Sequence, residues 1–419
     1  MIYVKSKLML ISAILFAVFT LVSGKPHINH YTNVKDSLNV ENDSLQLIRV
    51  NALSKNFRYD DAIAVLEKLF DRDSLNVPAA TGLENLYFKQ SQYNRAIYMQ
   101  DYLQRLKVDT TYYTIRKAMC LKKMGQYQKS LDIFRSAFDN DTLNSFLTHQ
   151  MGDLYKSLHK PDSAIVFYNK TCEIKPSSAV MIKAMDLYLK TKKEEEALQF
   201  FNKYFKIEFA VNHLLHRLYG KALYLNDKVG AARLTFNTLY SSGDSSLVTT
   251  KYLGMCEWKL ENYAASIAPF EHYLKKDSTD FQVYFMLGSS LVNDEFIFNP
   301  EKSISCLKRS LALIQADGNT LNLIYNDLAL NYQRTQQHEK ELEVYLLMKE
   351  NVPDSRYVDY KLATLYDYGF KNKKEALHRY TDLLTLYQAD SLSEKSDVQK
   401  FCENRILELK EEEFWEDSK

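Results

Sequence analysis

His213 and His216 stand three residues apart, a spacing that puts two imidazoles on one face of a helix, where they could share a metal ion. The sequence fixes no carboxylate beside them, so a structural role is the better reading. His27 and His30 fall near the start of the chain. Cys120, Cys172, Cys256, Cys306 and Cys402 are widely spaced and form no CxxC or Cys/His cluster. They read as single buried thiols that pack as small apolar groups rather than as a zinc or dithiol site. No GxSxG, HExxH, phosphate-loop or GxGxxG motif occurs. The expectation is therefore of no catalytic residues, no metal, no cofactor and no enzyme. Charge is balanced, with 54 Lys+Arg against 53 Asp+Glu, so there is no basic field for nucleic acid. Recognition of another protein remains as the chemistry to look for.

The first 24 residues read MIYVKSKLMLISAILFAVFTLVSG. Lys5 and Lys7 precede an uncharged apolar run from Leu8 to Val22, and small residues follow at Val22-Ser23-Gly24. That is the anatomy of a secretory signal peptide with cleavage after Gly24. The run is short for a membrane span, so a retained N-terminal anchor is the alternative. Export to the periplasm or outside the cell is expected. No Cys follows the run, which argues against a lipid anchor there. No second apolar run occurs, so no membrane span is expected in the mature chain.

The elements behind this are helical. Gly (11) and Pro (7) are scarce in 419 residues, which disfavours the many tight turns of an all-β fold. Small residues recur at Ala62, Ala96, Ser130, Ala164, Ala197, Ala232 and Ser266, spaced by 34, 34, 34, 33, 35 and 34 residues. A second column runs Val50, Glu84, Ala118, Gly152, Met185, Gly220, Gly254 and Gly288. A third, four residues after the first, runs Leu66, Gln100, Phe134, Tyr168, Phe201, Phe236 and Phe270. Two antiparallel helices approach closely only where facing side chains are small, and aromatics one turn away fill the gap to the next unit. One such pair buries too little surface alone, so the units must stack.

These columns resemble the tetratricopeptide repeat family, most fully from Gly152 through Tyr155, Ala164 and Tyr168 to Pro176. The resemblance implies an all-α fold, a right-handed α-solenoid of stacked helix–turn–helix repeats. About ten would cover residues 43–390, after a signal peptide (1–24) and a flexible mature N-terminus (25–42). A capping helix and charged tail would occupy 391–419, with Val398, Phe401, Ile406 and Leu407 on the apolar side. Asp73-Ser74, Asp141-Thr142 and Asp277-Ser278 fall between repeats and should cap the following helices, as should Asn299 before Pro300.

In this family the first helix of each pair lines the concave side, where members bind an extended peptide or a partner helix. By register that face would present Asn51, Lys55, Asn85, Lys89, Tyr112, Lys123, His149, Lys156, Arg217, Lys221, Tyr224, Trp258 and Lys259. Such a basic ladder with aromatics would suit an acidic or C-terminal peptide. Asn51 with Lys55, and Asn85 with Lys89, resemble part of the family's carboxylate clamp. Leu47 stands where the clamp uses Lys, which argues against binding of chaperone tails. The resulting expectation is an exported, non-catalytic scaffold or adaptor for a protein or peptide partner. The alternatives are a helical-solenoid enzyme subunit and a ligand-sensing module of a membrane signalling complex.

Overall fold

A computed structural model describes residues 30–209, 211–314, 318–388 and 396–417. The segment 1–24, whose sequence pattern suggests a signal peptide, and His27 lie outside the described residues. Helices follow one another as α1 (His30–Lys55), α2 (Tyr59–Arg72), α3 (Val77–Lys89), α4 (Tyr93–Arg105), α5 (Thr110–Lys123) and α6 (Tyr127–Asn140). Then come α7 (Ser145–Ser157), α8 (Pro161–Ile174), α9 (Ser178–Lys190), α10 (Glu194–Tyr204), α11 (His213–Leu225), α12 (Val229–Ser241), α13 (Leu247–Lys259) and α14 (Tyr263–Leu274). The last are α15 (Phe281–Asn293), α16 (Pro300–Leu313), α17 (Gly318–Arg334), α18 (His338–Asn351), α19 (Arg356–Thr364), α20 (Lys373–Gln388) and α21 (Asp397–Asp417). No strand occurs among the described residues. Odd-numbered helices open each pair and even-numbered ones close it. Residues 30–42, read from the sequence as a loose lead-in, are the first half of α1.

The chain divides into two compact units, 1–142 with 153–159, and 143–152 with 160–419. In the first, successive helices from α1 to α6 pack on one another; in the second the same holds from α8 onward. Opening helices α9, α11, α13, α15 and α17 also touch in sequence, as stacked repeats require. The fold is an all-α solenoid.

The columns show why these residues make such pairs. A methyl group added at Gly152, Gly220 or Gly254 would stand 2.7, 2.8 or 2.6 Å from the ring of Tyr168, Phe236 or Phe270. Each ring thus closes on the glycine of its own pair, where the sequence suggested only that it fills the gap to the next. Phe236 does both, stacking on Tyr252 of the following pair at 5.4 Å. Ser130 Oγ and Ser303 Oγ donate to the carbonyls of Ala118 and Gly288, pinning the closing helix to its partner at 2.7 Å.

Between opening and closing helices the chain turns through a left-handed residue: Phe57, Ser91, Gly125, His159, Lys192, Asp227, Glu261, Gln336 and Lys371. Only one is glycine, so most of these turns hold a residue in a region its Cβ disfavours. Between pairs the expected caps are displaced. Asn76, Asn144 and Asp280, not Asp73, Asp141 and Asp277, accept the free N–H groups of the next helix. Asp73 and Asp277 instead accept from the amides of Leu75 and Thr279, two residues on, shaping the turn. Asn299 caps α16 as its sequence suggested.

Ion pairs about one repeat apart tie neighbouring pairs together. Lys122 reaches Asp153 at 3.0 Å, Lys193 reaches Asp162 at 2.6 Å and Lys203 reaches Glu173 at 3.3 Å. Lys302 meets Glu271 in the same way. At the far end α21 packs on α20 through Cys402, Ile406 and Leu409, while Leu407, expected inside, is 62% exposed. Arg405 locks this helix by donating to both oxygens of buried Asp367, at 2.8 and 2.9 Å.

Candidate partner-binding face

Because α3 and α5 pack side by side with α4 in the first unit, their outward residues form one surface. Asn85, Lys89, Tyr112 and Lys123 are exposed there; Asn51 and Lys55 are exposed on α1, and Lys156 near the end of α7. The Lys89 ammonium lies 5.9 Å from the centre of the Tyr59 ring. Asn85 and Tyr112 gather around Arg116: its guanidinium donates to Asn85 Oδ1 at 3.4 Å and lies 6.0 Å from the Tyr112 ring. Arg116 also stacks on Phe88 at 3.9 Å and makes a two-pronged contact with Glu84, at 3.0 Å to each oxygen. Glu84 is fully buried and accepts a further bond from Gln100 Nε2 at 2.6 Å. Glu84 and Gln100 occupy the columns that elsewhere hold glycine and an aromatic ring. An acid in a small-residue column signals a buried charge that needs a cation, and that signal could have pointed to Arg116.

In the second unit the expected basic ladder is largely engaged within the chain. Arg217 donates to Asp244 Oδ1 and Oδ2 at 3.1 and 2.9 Å and to Ser246 at 3.1 Å. Hydrogen bonds from Thr249 and Ser246, with the Arg217 charge, outweigh the burial of Asp244 and hold its carboxyl below the usual range. Lys251 pairs with Asp280 at 2.5 Å and Lys259 with Asp227 at 2.6 Å. His149 is half-buried, 2.8 Å from Lys183 Nζ and beside the Tyr168 ring. A face expected to be cationic therefore offers far less free positive charge.

What takes its place is aromatic. Lys221 lies 6.0 Å from the Tyr252 ring, which meets Tyr224 edge-on at 5.3 Å. Burial pushes the hydroxyls of both tyrosines above their ordinary pKa. Further along, Trp258 meets Phe285 at 6.0 Å, with Met255 and Met286 half-buried in the same cluster. The Trp258 indole nitrogen is buried and has no hydrogen-bond partner among the described residues. Tyr252, Met255, Phe285 and Met286 were missed in the sequence because their register positions were scanned for charge. Their 34-residue offsets from one opening helix to the next would have revealed them.

His213 is exposed, while His216 packs against the rings of Phe201 and Phe205. Among the described residues no group of three or more His, Cys, Asp or Glu could hold a metal ion. All five cysteines are buried and unpaired, and burial pushes the thiols of Cys172 and Cys256 up to about 12. No described helix is long and apolar enough to cross a membrane.

Comparison with known proteins gives two family matches. Residues 55–137 match the family of anaphase-promoting complex, cyclosome, subunit 3, and residues 149–178 match the tetratricopeptide repeat. No curated protein matches the chain. Among solved structures it is similar to the C-terminal part of a TPR repeat-containing protein from Cytophaga hutchinsonii, at 18% identity and a TM-score of 0.48. That match covers 57% of this chain and 99% of the other. It is also similar to MamA from Desulfovibrio magneticus (14% identity, TM-score 0.36, 40% and 96% covered). A tetratricopeptide repeat protein from Parabacteroides merdae is 14% identical with a TM-score of 0.37, covering 64% and 98%. The chain thus carries a tetratricopeptide repeat at 149–178, within an array of helix pairs stacked at intervals near 34 residues with small residues facing aromatics inside the pairs.

Proposed function

We propose that this chain is a non-catalytic scaffold that holds a protein partner on the opening helices of its second unit. The observation that carries the reading is the strip of half-buried rings Tyr224, Tyr252 and Trp258 across α11 and α13, backed by buried Phe285 of α15 and flanked by half-buried Met255 and Met286. Aromatic and methionine side chains supply much apolar contact area and adapt to a partner's shape. With Arg217, Lys251 and Lys259 engaged internally, the favoured partner segment is apolar with polar edges rather than strongly acidic. Export of this scaffold rests on the residues of segment 1–24, whose charge and apolar pattern support it.

Crosslinking in the native host followed by mass spectrometry identifies the partner, and titration with that partner tests the face. Trp258→Ala and Tyr224→Ala should each weaken capture by roughly tenfold or more, as central aromatic anchors do. Trp258 emission should shift on binding, read in a Trp415→Phe background. Unchanged affinity in both variants removes this face from the reading. Charge reversal at Lys89, Lys123 and Lys156 together reports on the first unit separately.

A further inference from the structure

Inner helix pairs bury a face that the first described pair leaves open. In the second pair Ala80, Leu83 and Tyr87 on α3, and Met99 and Leu103 on α4, are at most 5% exposed. Thirty-four residues earlier the same register holds Gln46, Arg49 and Leu53 on α1, and Val65 and Leu69 on α2. These residues line an open cleft of about 570 Å³. Leu53, Ala64 and Val65 give it an apolar patch above buried Leu69, but most of its lining is polar, with Arg49, Arg58, Lys68 and Arg72 against the single carboxylate of Asp61. Arg58 pairs with Asp61 at 2.7 Å and Arg72 with Asp43. Arg49 and Lys68 are exposed and have no partner among the described residues.

The complementary surface lies on the same polypeptide. Helix α21 reads DVQKFCENRILELKEEEFWED, with eight acids against three bases. Glu408 and Glu412 turn back onto Arg405, but Glu411 is exposed and unpaired among the described residues. Leu407 is 62% exposed and lies one helical turn before it, on the same face. That face is an exposed leucine edged by carboxylate, matched to a cationic cleft with a small apolar patch.

We propose that the α1–α2 cleft receives α21 of a second copy, so that the protein associates head to tail. Leu407 of the incoming helix would cover Leu53 and Val65, and Glu411 would meet Arg49 and Lys68. The contact continues between chains the stacking that inner pairs make within one chain. Because the two surfaces differ, association propagates into a row or closes into a ring. Attraction between exposed charges makes it weak and sensitive to salt.

The test is sedimentation velocity on the purified chain over a concentration series, at about 20 mM and about 500 mM salt, which bracket weak and strong screening. The mass should grow with concentration at low salt and fall back at high salt. R49E/K68E and E411K/E413K should each weaken association at least tenfold. An equimolar mixture of the two variants should recover it, since every cleft then finds a tail of opposite charge. Recovery on mixing also shows that both variants are folded. A wild-type chain that stays monomeric at low salt, or single-surface variants that associate as wild type does, would overturn the proposal.

Discussion

A methyl group at Gly254 tests the packing rule on which the pairs are built. In an ordinary helix, Gly→Ala is favourable by about 1 kcal/mol, because alanine gives up less backbone freedom. Here the new carbon would stand 2.6 Å from two ring atoms of Phe270 and 3.0 Å from a third. Phe270 is fully buried, so the ring cannot swing into solvent. Retreat by close to an ångström would have to be taken up by its neighbours, and overpacking of that kind costs about 1–3 kcal/mol. The contact should cancel the helix gain and leave a net loss on the order of 1 kcal/mol. Gly230 supplies the control: it lies in α12, and an added methyl there meets nothing within 4 Å. Gly230→Ala should raise the denaturation midpoint where Gly254→Ala lowers it. The two can be compared by urea unfolding followed by far-UV circular dichroism, with hydrogen exchange reporting on α13 and α14. Trimming the ring in G254A/F270L should return part of the loss as a coupling of about 1 kcal/mol. If Gly254→Ala stabilises as much as Gly230→Ala, the ring does not set the approach of the two helices and the reasoning fails.

Other perturbations follow from the same contacts. Arg116→Ala would leave buried Glu84 without its cation and should cost about 3–5 kcal/mol, with Glu84→Gln in that background recovering much of it. Urea midpoints of the two variants decide this. Arg405→Ala, which strips the cation from Asp367, should loosen α21 by a similar amount and raise exchange of its amides ahead of the inner helices. Burial raises the Asp327 carboxyl to about 6, against bonds from Ser289 and Asn293 that lower it, with Tyr263 the other titratable group it influences. The folded chain therefore holds this proton more tightly than the unfolded one. Stability contributed by the protonated acid is present below about pH 4 and lost as pH rises through about 6, by up to roughly 3 kcal/mol. Asp327→Asn should flatten that slope and raise stability at neutral pH; an unaltered slope in the variant would show that the acid is not responsible. Phe57→Gly relieves a left-handed aromatic residue that is 79% exposed, and should be neutral to slightly stabilising by thermal melting.

The helical array was legible because stacking imposes small residues at fixed intervals, and Ala62, Ala96, Ser130 and Ala164 record them directly. Helices α3, α7, α9 and α11 start at Val77, Ser145, Ser178 and His213, in step with that interval. The caps were misplaced because an Asp that shapes a turn and an Asn that caps a helix are the same kind of side chain three residues apart. On the candidate face, position in the register does not tell whom a side chain meets: Arg217, expected outward, is turned onto Asp244. Lys259 and Asp227, 32 residues apart, pair only because successive helices are aligned. A lysine engaged in this way reads the same in sequence as one awaiting a partner. Leu407 was taken for core since the helix carries apolar residues on more than one side, and only packing on α20 selects among them.

The pairs that link one repeat to the next, Lys193 with Asp162, Lys203 with Glu173 and Lys302 with Glu271, lie at the surface and yield readily to screening. The glycine–ring contacts inside each pair do not. Under tension, each unit should therefore lose its surface links between pairs first, while buried contacts such as Phe236 on Tyr252 still hold the joints. Its elasticity should soften as ionic strength rises, long before any single segment unravels.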